Sequence, residues 1–409
     1  TTEIYTLSLH DALPICGEIP STRAGGSGVM KIEMQHHDCK TDPVSLKGEL
    51  GQRAGLVFIF GCGNILKRTG VIQLIHKTYP AAVICGCSTA GEICETSFYT
   101  DSLVVAAAAF DHTRVMGVTI DLSETTSSRN AGEILADRLE RDGLRHVFVL
   151  SDGIHVNGSD LIRGLSSRLP EKITVTGGLA GDADRFVETV VVRGDVSLPN
   201  TVSALGFYGE RLKIGYGSMG GWDPFGMERV VTKSEGNVLY ELDGKSALDL
   251  YKKYLGEHSS SLPASGLLFP LSIRSRDGGT SLVRTVLAVD EKTSSMTFAG
   301  DVPLGSLARF MKSNVDRLID GAMEAARQCL RTGGGESPDL AVLISCVGRR
   351  MVMKQRVEEE IEGVQEILGN RTELTGFYSY GEIAPTADSA ESRPELHNQT
   401  MTITTFSER

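Results

Sequence analysis

The stretch AAVICGCSTAGEI at 81–93 is an apolar strand that runs into a turn of small residues and then into a carboxylate. Val83 and Ile84 suit a buried strand, while Gly86, Ala90 and Gly91 let backbone approach whatever faces the turn. Upstream, LVFIFGCGN at 56–64 supplies another apolar strand, and the residues between the two have helical spacing. The same order of strand, helix, strand and glycine-rich turn occurs twice more. HVFVLSDG at 146–153 leads through SDLIRGLSSRL at 159–169 to ITVTGGLAGDADRF at 173–186. LAVLISCVGRR at 340–350 leads through QRVEEEIEGVQEIL at 355–368 to ELTGFYSYGEIAP at 373–385, repeating the Gly-Glu-Ile ending of the first unit.

Such units predict an α/β fold, because an apolar strand needs cover on both faces and the intervening helix supplies one cover. Valine-, threonine- and aromatic-rich strands follow, among them SLVVAAAAF at 102–110 and TVSALGFYG at 201–209, so the sheets are expected to be mixed. The reading is of two tandem domains with mixed β-sheets flanked by helices, dividing near 225–235. SLARFMKSNVDRLIDGAMEAARQCL at 306–330 reads as one amphipathic helix. Residues 1–15 resemble a translated sequencing-adapter read, and 16–28 have linker composition, so residues 1–30 are set aside as tail, linker or artefact.

Composition narrows the function classes. The chain has 409 residues, 41% of them hydrophobic, which suffices for two ordinary domains. Lys and Arg total 41 against 52 Asp and Glu, a balance of −11 that disfavours a general phosphate-backbone binder, and the pair Arg349–Arg350 is too short to reverse this. No nucleic-acid partner is expected. No apolar run reaches 18 residues, so no membrane span is expected. Eight cysteines are too few for a disulfide scaffold and imply reduced, cytoplasmic thiols.

The candidate ligand-binding residues sit at the strand ends. Cys87, Ser88, Thr89 and Glu92 crowd the first turn, where Cys87 is also the one candidate for thiol catalysis. Asp152 caps or pairs in the loop SDGIHVNGSD, with His155 nearby. Gly177, Gly178 and Asp182 mark the second turn, where Asp182 and Asp184 are read either as solvated turn residues or as partners of an ion or a ligand amine. Trp222 and Asp223 lie in GYGSMGGWDPFG at 215–226, a recognition loop or a domain seal. Tyr380 and Glu382 form the third strand end, with His397 within reach of Glu382 if their strands are neighbours. No metal site and no catalytic set are read from these residues.

Taken in order, CGCSTAGEI, TGGLAGDADRF, GYGSMGGWDPFG, GFYSYGEIAP and LHNQTMTITTF resemble the FIST family of sensory proteins over roughly residues 45–406. The resemblance implies a FIST N-like domain at 31–230 and a FIST C-like domain at 231–409. It further implies small-ligand sensing in intracellular signal transduction, with amino acids or related metabolites as ligands and a signalling protein as partner. Some members are similar to haem-containing nitric-oxide sensors; a haem here would need an axial ligand such as His76, His112, His146 or His155. A thiol-dependent enzyme is the remaining alternative.

Overall fold

The structure, a computed structural model, describes residues 30–38, 44–68, 70–262, 264–276, 281–386 and 393–409. The expectations placed on residues 1–29 lie outside the described residues.

The three units each build a six-stranded sheet on one plan. The central pair is parallel, because a helix carries the chain from the end of one strand back to the start of the next: Leu56–Gly61 with Val83–Ser88, Leu144–Ser151 with Thr174–Leu179, and Leu340–Cys346 with Glu373–Ser379. These strands are buried on both faces, which is why they read as continuous apolar runs rather than as alternation. Two antiparallel strands extend each pair on one side. They are Ser102–Ala109 and Lys31–Asp38 in the first sheet, Thr201–Tyr208 and Arg114–Asp121 in the second, and Met401–Glu408 and Leu212–Met219 in the third. The chain is therefore α/β with mixed sheets flanked by helices.

The other side of each sheet is completed by a neighbour. After its glycine-rich turn, the first unit sends the hairpin Glu92–Cys94 and Ser97–Tyr99 to the third sheet. The third sends Gly381–Pro385 and Pro394–His397 to the second sheet, and the second sends Val191–Arg193 and Val196–Leu198 to the first. Where the turns cross, backbone hydrogen bonds close a ring: Ala90 N–H to Tyr378 O (2.7 Å), Tyr380 N–H to Leu179 O (3.3 Å) and Gly181 N–H to Ser88 O (2.9 Å). One apolar core cluster is shared by the three units, with Phe58, Phe60, Phe148, Phe207, Phe377 and Phe406 drawn from all of them.

Between Leu212–Met219 and the helix Val315–Gly333 the third unit carries a further sheet of eight strands, from Asp223–Glu235 to Leu307–Lys312, around the helix Ala247–Leu255. The expected helix over 306–330 is thus two elements. Ala308 and Phe310 are buried while Leu307 and Arg309 are less so, an alternation that suits a strand, and Asn314 then caps the helix by accepting from the N–H groups of Asp316 and Arg317. The root of the inserted sheet is pinned by a buried ion pair. Arg349 is wholly buried and reaches the Glu360 carboxylate at 2.6 Å, Leu318 O at 2.8 Å and Gly220 O, while Glu360 also accepts from Ser345 Oγ (3.0 Å) and Tyr378 OH (2.6 Å). With every charge paired and hydrogen-bonded, removal of either partner would leave an uncompensated buried charge.

Gly376 shows how closely the parallel pairs approach. Its φ is +155°, and a Cβ there would lie 1.8 Å from Leu343 O. Gly376→Ala is expected to cost about 2–4 kcal/mol through strain and overpacking. The urea midpoint of the variant checks this, and an unchanged midpoint would show that the crossing is looser than described.

Candidate functional site

The turns that close the ring also wall a cleft of about 250 Å³. Its floor is the first unit's own turn, Thr89, Ala90, Gly91 and Glu92, and Cys62 at the end of Leu56–Gly61. Thr100 and Asp101 form one side, Ala183, Asp184 and Arg185 of the second unit another, and Arg350 of the third unit the last. All three units contribute, the first two through their turns and the third through its helix Val347–Met353. Gly91 is required by its φ of +132° and by the Phe98 ring, which a Cβ would meet at 2.5 Å.

Glu92 is buried and receives the hydroxyls of Thr89 and of Ser102 (2.7 Å for the latter). Burial pushes its carboxyl up to about 7, against the hydrogen bonds that favour the anion. Arg350 donates to Ala90 O at 2.5 Å, and its guanidinium lies 5.3 Å from the centre of the Phe98 ring. Among the described residues no carboxylate forms an ion pair with Arg350. Arg185 is spoken for, since it holds Asp182 through Nε (3.1 Å) and Nη2.

The remaining sequence candidates are placed as follows. Asp182 faces Arg185 and the Glu188 N–H (3.3 Å), so it braces the loop rather than lining the cleft. Tyr380 braces the same loop: its hydroxyl accepts from Phe186 N–H (3.2 Å), donates to Ala183 O (3.4 Å), and its ring stacks on Phe186 at 4.2 Å. Ser88 Oγ accepts from Val190 N–H at 2.9 Å. Gly177 and Gly178 are packing positions, where a Cβ would strike Val149 O and the Ile344 side chain. Cys87 lies wholly within the aromatic core, and burial pushes its thiol far up.

Asp152 accepts the N–H groups of Ile154 (2.8 Å), His155 (2.7 Å) and Asn200 (3.0 Å), a turn anchor at the second unit's strand end. Trp222 is buried at the root of the inserted sheet and donates to Gln399 O at 2.8 Å, and Asp223 is 3.6 Å from Arg317. Glu382 and His397 do face each other across neighbouring strands. His397 donates to Ala384 O at 3.0 Å and burial lowers its pKa to about 4, while Glu382, bonded by Ser379 Oγ (2.6 Å) and Thr400 Oγ1 (3.0 Å), is pushed up to about 8 by burial.

Of the candidates, the structure brings Thr89 and Glu92 to the cleft, with Asp182 and Tyr380 behind its wall. Sequence reasoning missed Cys62, Asp101, Arg185 and Arg350. Cys62 and Cys346 hold the same place at the ends of two corresponding strands, so superposing LVFIFGCGN on LAVLISCVG would have raised Cys62. Arg349 and Arg350 were weighed only as a basic patch.

Of the histidines considered for a haem, His146 does not fit that role. Both His146 nitrogens are taken by the hydroxyls of Thr174 (2.7 Å) and Thr176 (2.9 Å), and burial lowers its pKa to about 3. His76 lies by Gly194 O and Asp195, His112 by Arg211, and His155 by Asp152. Among the described residues no group of three or more His, Cys, Asp or Glu side chains is placed to hold a metal ion.

Two domain matches run in tandem along this chain: residues 55–245 match the FIST N domain and residues 247–385 the FIST C domain. The chain belongs to the FIST family, whose domains are sensory modules of signal transduction. The two matches meet inside the eight-stranded sheet. An uncharacterized protein of Methanocaldococcus jannaschii is 24% identical over 381 residues, covering 82% of this chain and 71% of that relative. The crystal structure of cyanuric acid hydrolase from A. caulinodans aligns with 93% of this chain and 99% of its own at 7% identity and a TM-score of 0.35, a likeness too weak to carry any inference. No helix among the described residues is long and apolar enough to cross a membrane.

The state of Glu92 is testable through stability. Between the ordinary carboxyl value of 4.5 and about 7 the folded chain holds a proton that the unfolded chain releases, so this group's contribution falls as pH rises through that window. Glu92→Gln is expected to remove that part of the decline, seen as a smaller loss of urea stability between about pH 5 and about pH 8 than in the wild type. Parallel profiles for the two proteins would show that Glu92 is ionised throughout.

Proposed function

We propose that this chain is a small-ligand sensor of intracellular signal transduction that binds an amino acid or a related zwitterionic metabolite in the cleft and acts through a protein partner. The observation that carries the reading is Arg350, a guanidinium in the cleft wall with no carboxylate paired to it among the described residues. A ligand carboxylate would meet it with charge-assisted hydrogen bonds. Asp101 and Asp184 across the cleft offer the complementary charge to an ammonium group, and Glu92 can donate or accept according to its proton. The volume of about 250 Å³ lies below the roughly 300–1,000 Å³ usual for drug-sized ligands, which suits a metabolite of amino-acid size.

The family membership supports the sensory role. An intracellular, cytoplasmic setting is supported by six buried thiols with no disulfide among the described residues. The thiol-enzyme alternative draws nothing from Cys87, which is sealed in the core away from the cleft.

Calorimetry of the folded protein against a panel of amino acids and small carboxylates tests the reading. Saturable binding is expected for at least one amino acid, weakened about tenfold or more by Arg350→Ala and left unchanged by Cys87→Ala. Absence of saturable binding across the panel, or equal affinity in the Arg350→Ala protein, would overturn it.

A further inference from the structure

The third unit repeats the architecture of the cleft, but the inserted sheet closes over it. Cys346, Ser379, Glu382 and Thr400 stand where Cys62, Thr89, Glu92 and Ser102 stand in the first unit. Cys62 N–H donates to Ser102 O at 2.9 Å, and Cys346 N–H donates to Thr400 O at 3.0 Å. Just ahead, Asp101 and Gln399 both take left-handed backbone, with φ of +53° and +63°. Thr100 and Asp101 are exposed, whereas their counterparts Asn398 and Gln399 are wholly buried.

The two buried amides are oriented by carbonyls. Asn398 Nδ2 donates to His397 O at 3.0 Å, and Gln399 Nε2 donates to Leu267 O of the inserted sheet's short helical turn at 3.4 Å. Exchanging nitrogen and oxygen in either amide would set oxygen against oxygen, so the hydrogen-bond network assigns the nitrogens to these carbonyls. Asn398 Oδ1 and Gln399 Oε1 are therefore acceptors, and among the described residues neither meets a donor. The Gln399 amide rests on Gly348, two residues beyond Cys346, and the Cys346 thiol is close enough to feel the charge of Glu382 while receiving the N–H groups of Gly348 and Gln399. The turn 397–400 thus wraps Glu382, which faces His397 across the strands and accepts from Thr400 N–H (3.2 Å) and Thr400 Oγ1.

We propose that this roofed turn is a binding site for one small monovalent cation, of ammonium or potassium size, held by Asn398 Oδ1, Gln399 Oε1 and the Glu382 carboxylate. The oxygen-only set suits a hard cation or an ammonium donor and disfavours an anion. One carboxylate matches a single charge, and each buried acceptor left without a donor or cation would be destabilising. Binding ionises Glu382 and couples the cation to the seating of the inserted sheet at Leu267.

Thermal unfolding of the full chain in ammonium, potassium, sodium and choline chloride at equal ionic strength tests the site. A saturable rise in Tm with ammonium or potassium, absent with choline, is expected, and the two arms identify which cation is held. Gln399→Leu and the near-isosteric Glu382→Gln should each abolish that rise; the second serves if the first fails to fold. Nitrogen-15 ammonium should in addition give a slowly exchanging bound signal if ammonium is the occupant. Equal Tm values in all four salts, as expected of acceptors satisfied by water alone, would overturn the proposal. So would a cation response that survives both substitutions.

Discussion

Three backbone hydrogen bonds between glycine-rich turns hold the arrangement on which everything else depends. Each turn hands its hairpin to the next sheet, so the bonds Ala90 to Tyr378, Tyr380 to Leu179 and Gly181 to Ser88 are where all three sheets are tied together. The small residues of these turns answer to that crossing. At Gly181 a Cβ would sit 2.7 Å from Ala90 N, which leaves no room for a side chain between two chains that must bond directly. The cleft follows from the same geometry, since the place where three turns meet is also where side chains from three units converge.

The three crossings are alike in backbone and unlike in chemistry. At the first unit the strand end carries Cys62, the turn carries Glu92, and Arg350 arrives from the third unit to leave a polar, open cleft. At the third unit the same backbone carries Cys346 and Glu382 but is roofed by the inserted sheet through Leu267, Trp222 and Gln399. At the second unit Asp152 replaces the cysteine and spends its oxygens on three backbone N–H groups. The helix Val347–Met353 lies between the first two environments. Gly348 supports Gln399, Arg349 ties down Gly220 and Leu318, and Arg350 faces the cleft, so three consecutive residues touch the roof, the root of the inserted sheet and the candidate ligand space.

The unit pattern was legible in the sequence because parallel strands buried on both faces leave unbroken apolar runs, as in LVFIF and LAVLI, and because the first and third strand ends share Gly-Glu-Ile. The hairpin exchange was not legible: nothing local in Glu92–Cys94 says that its partner is Glu373–Ser379, some 280 residues on. The site was half legible for the same reason. Thr89 and Glu92 lie in the conspicuous turn itself, whereas Arg350 and Arg185 reach it only through the crossing of units. Cys87, the most noticeable thiol in the turn, points inward because alternate residues of a strand face opposite sides, and burial there makes it inert. The segment 306–330 misled by composition, since Leu307–Lys312 has apolar residues that fit helical spacing until Asn314 is recognised as a cap.

Hairpin exchange around a ring is the way a cyclic trimer joins its subunits: each copy presents one surface to the copy ahead and another to the copy behind, and three such heterologous contacts close the circle. Here a single chain supplies all three positions, so association is intramolecular and its cost does not depend on protein concentration. In a trimer of identical subunits every substitution is made three times, and a charge introduced into one mouth enters all of them. A covalent ring is free of that constraint. One mouth has kept an arginine, another has been roofed by an inserted sheet, and a third has been filled by its own backbone, while the closure that holds them together has stayed the same.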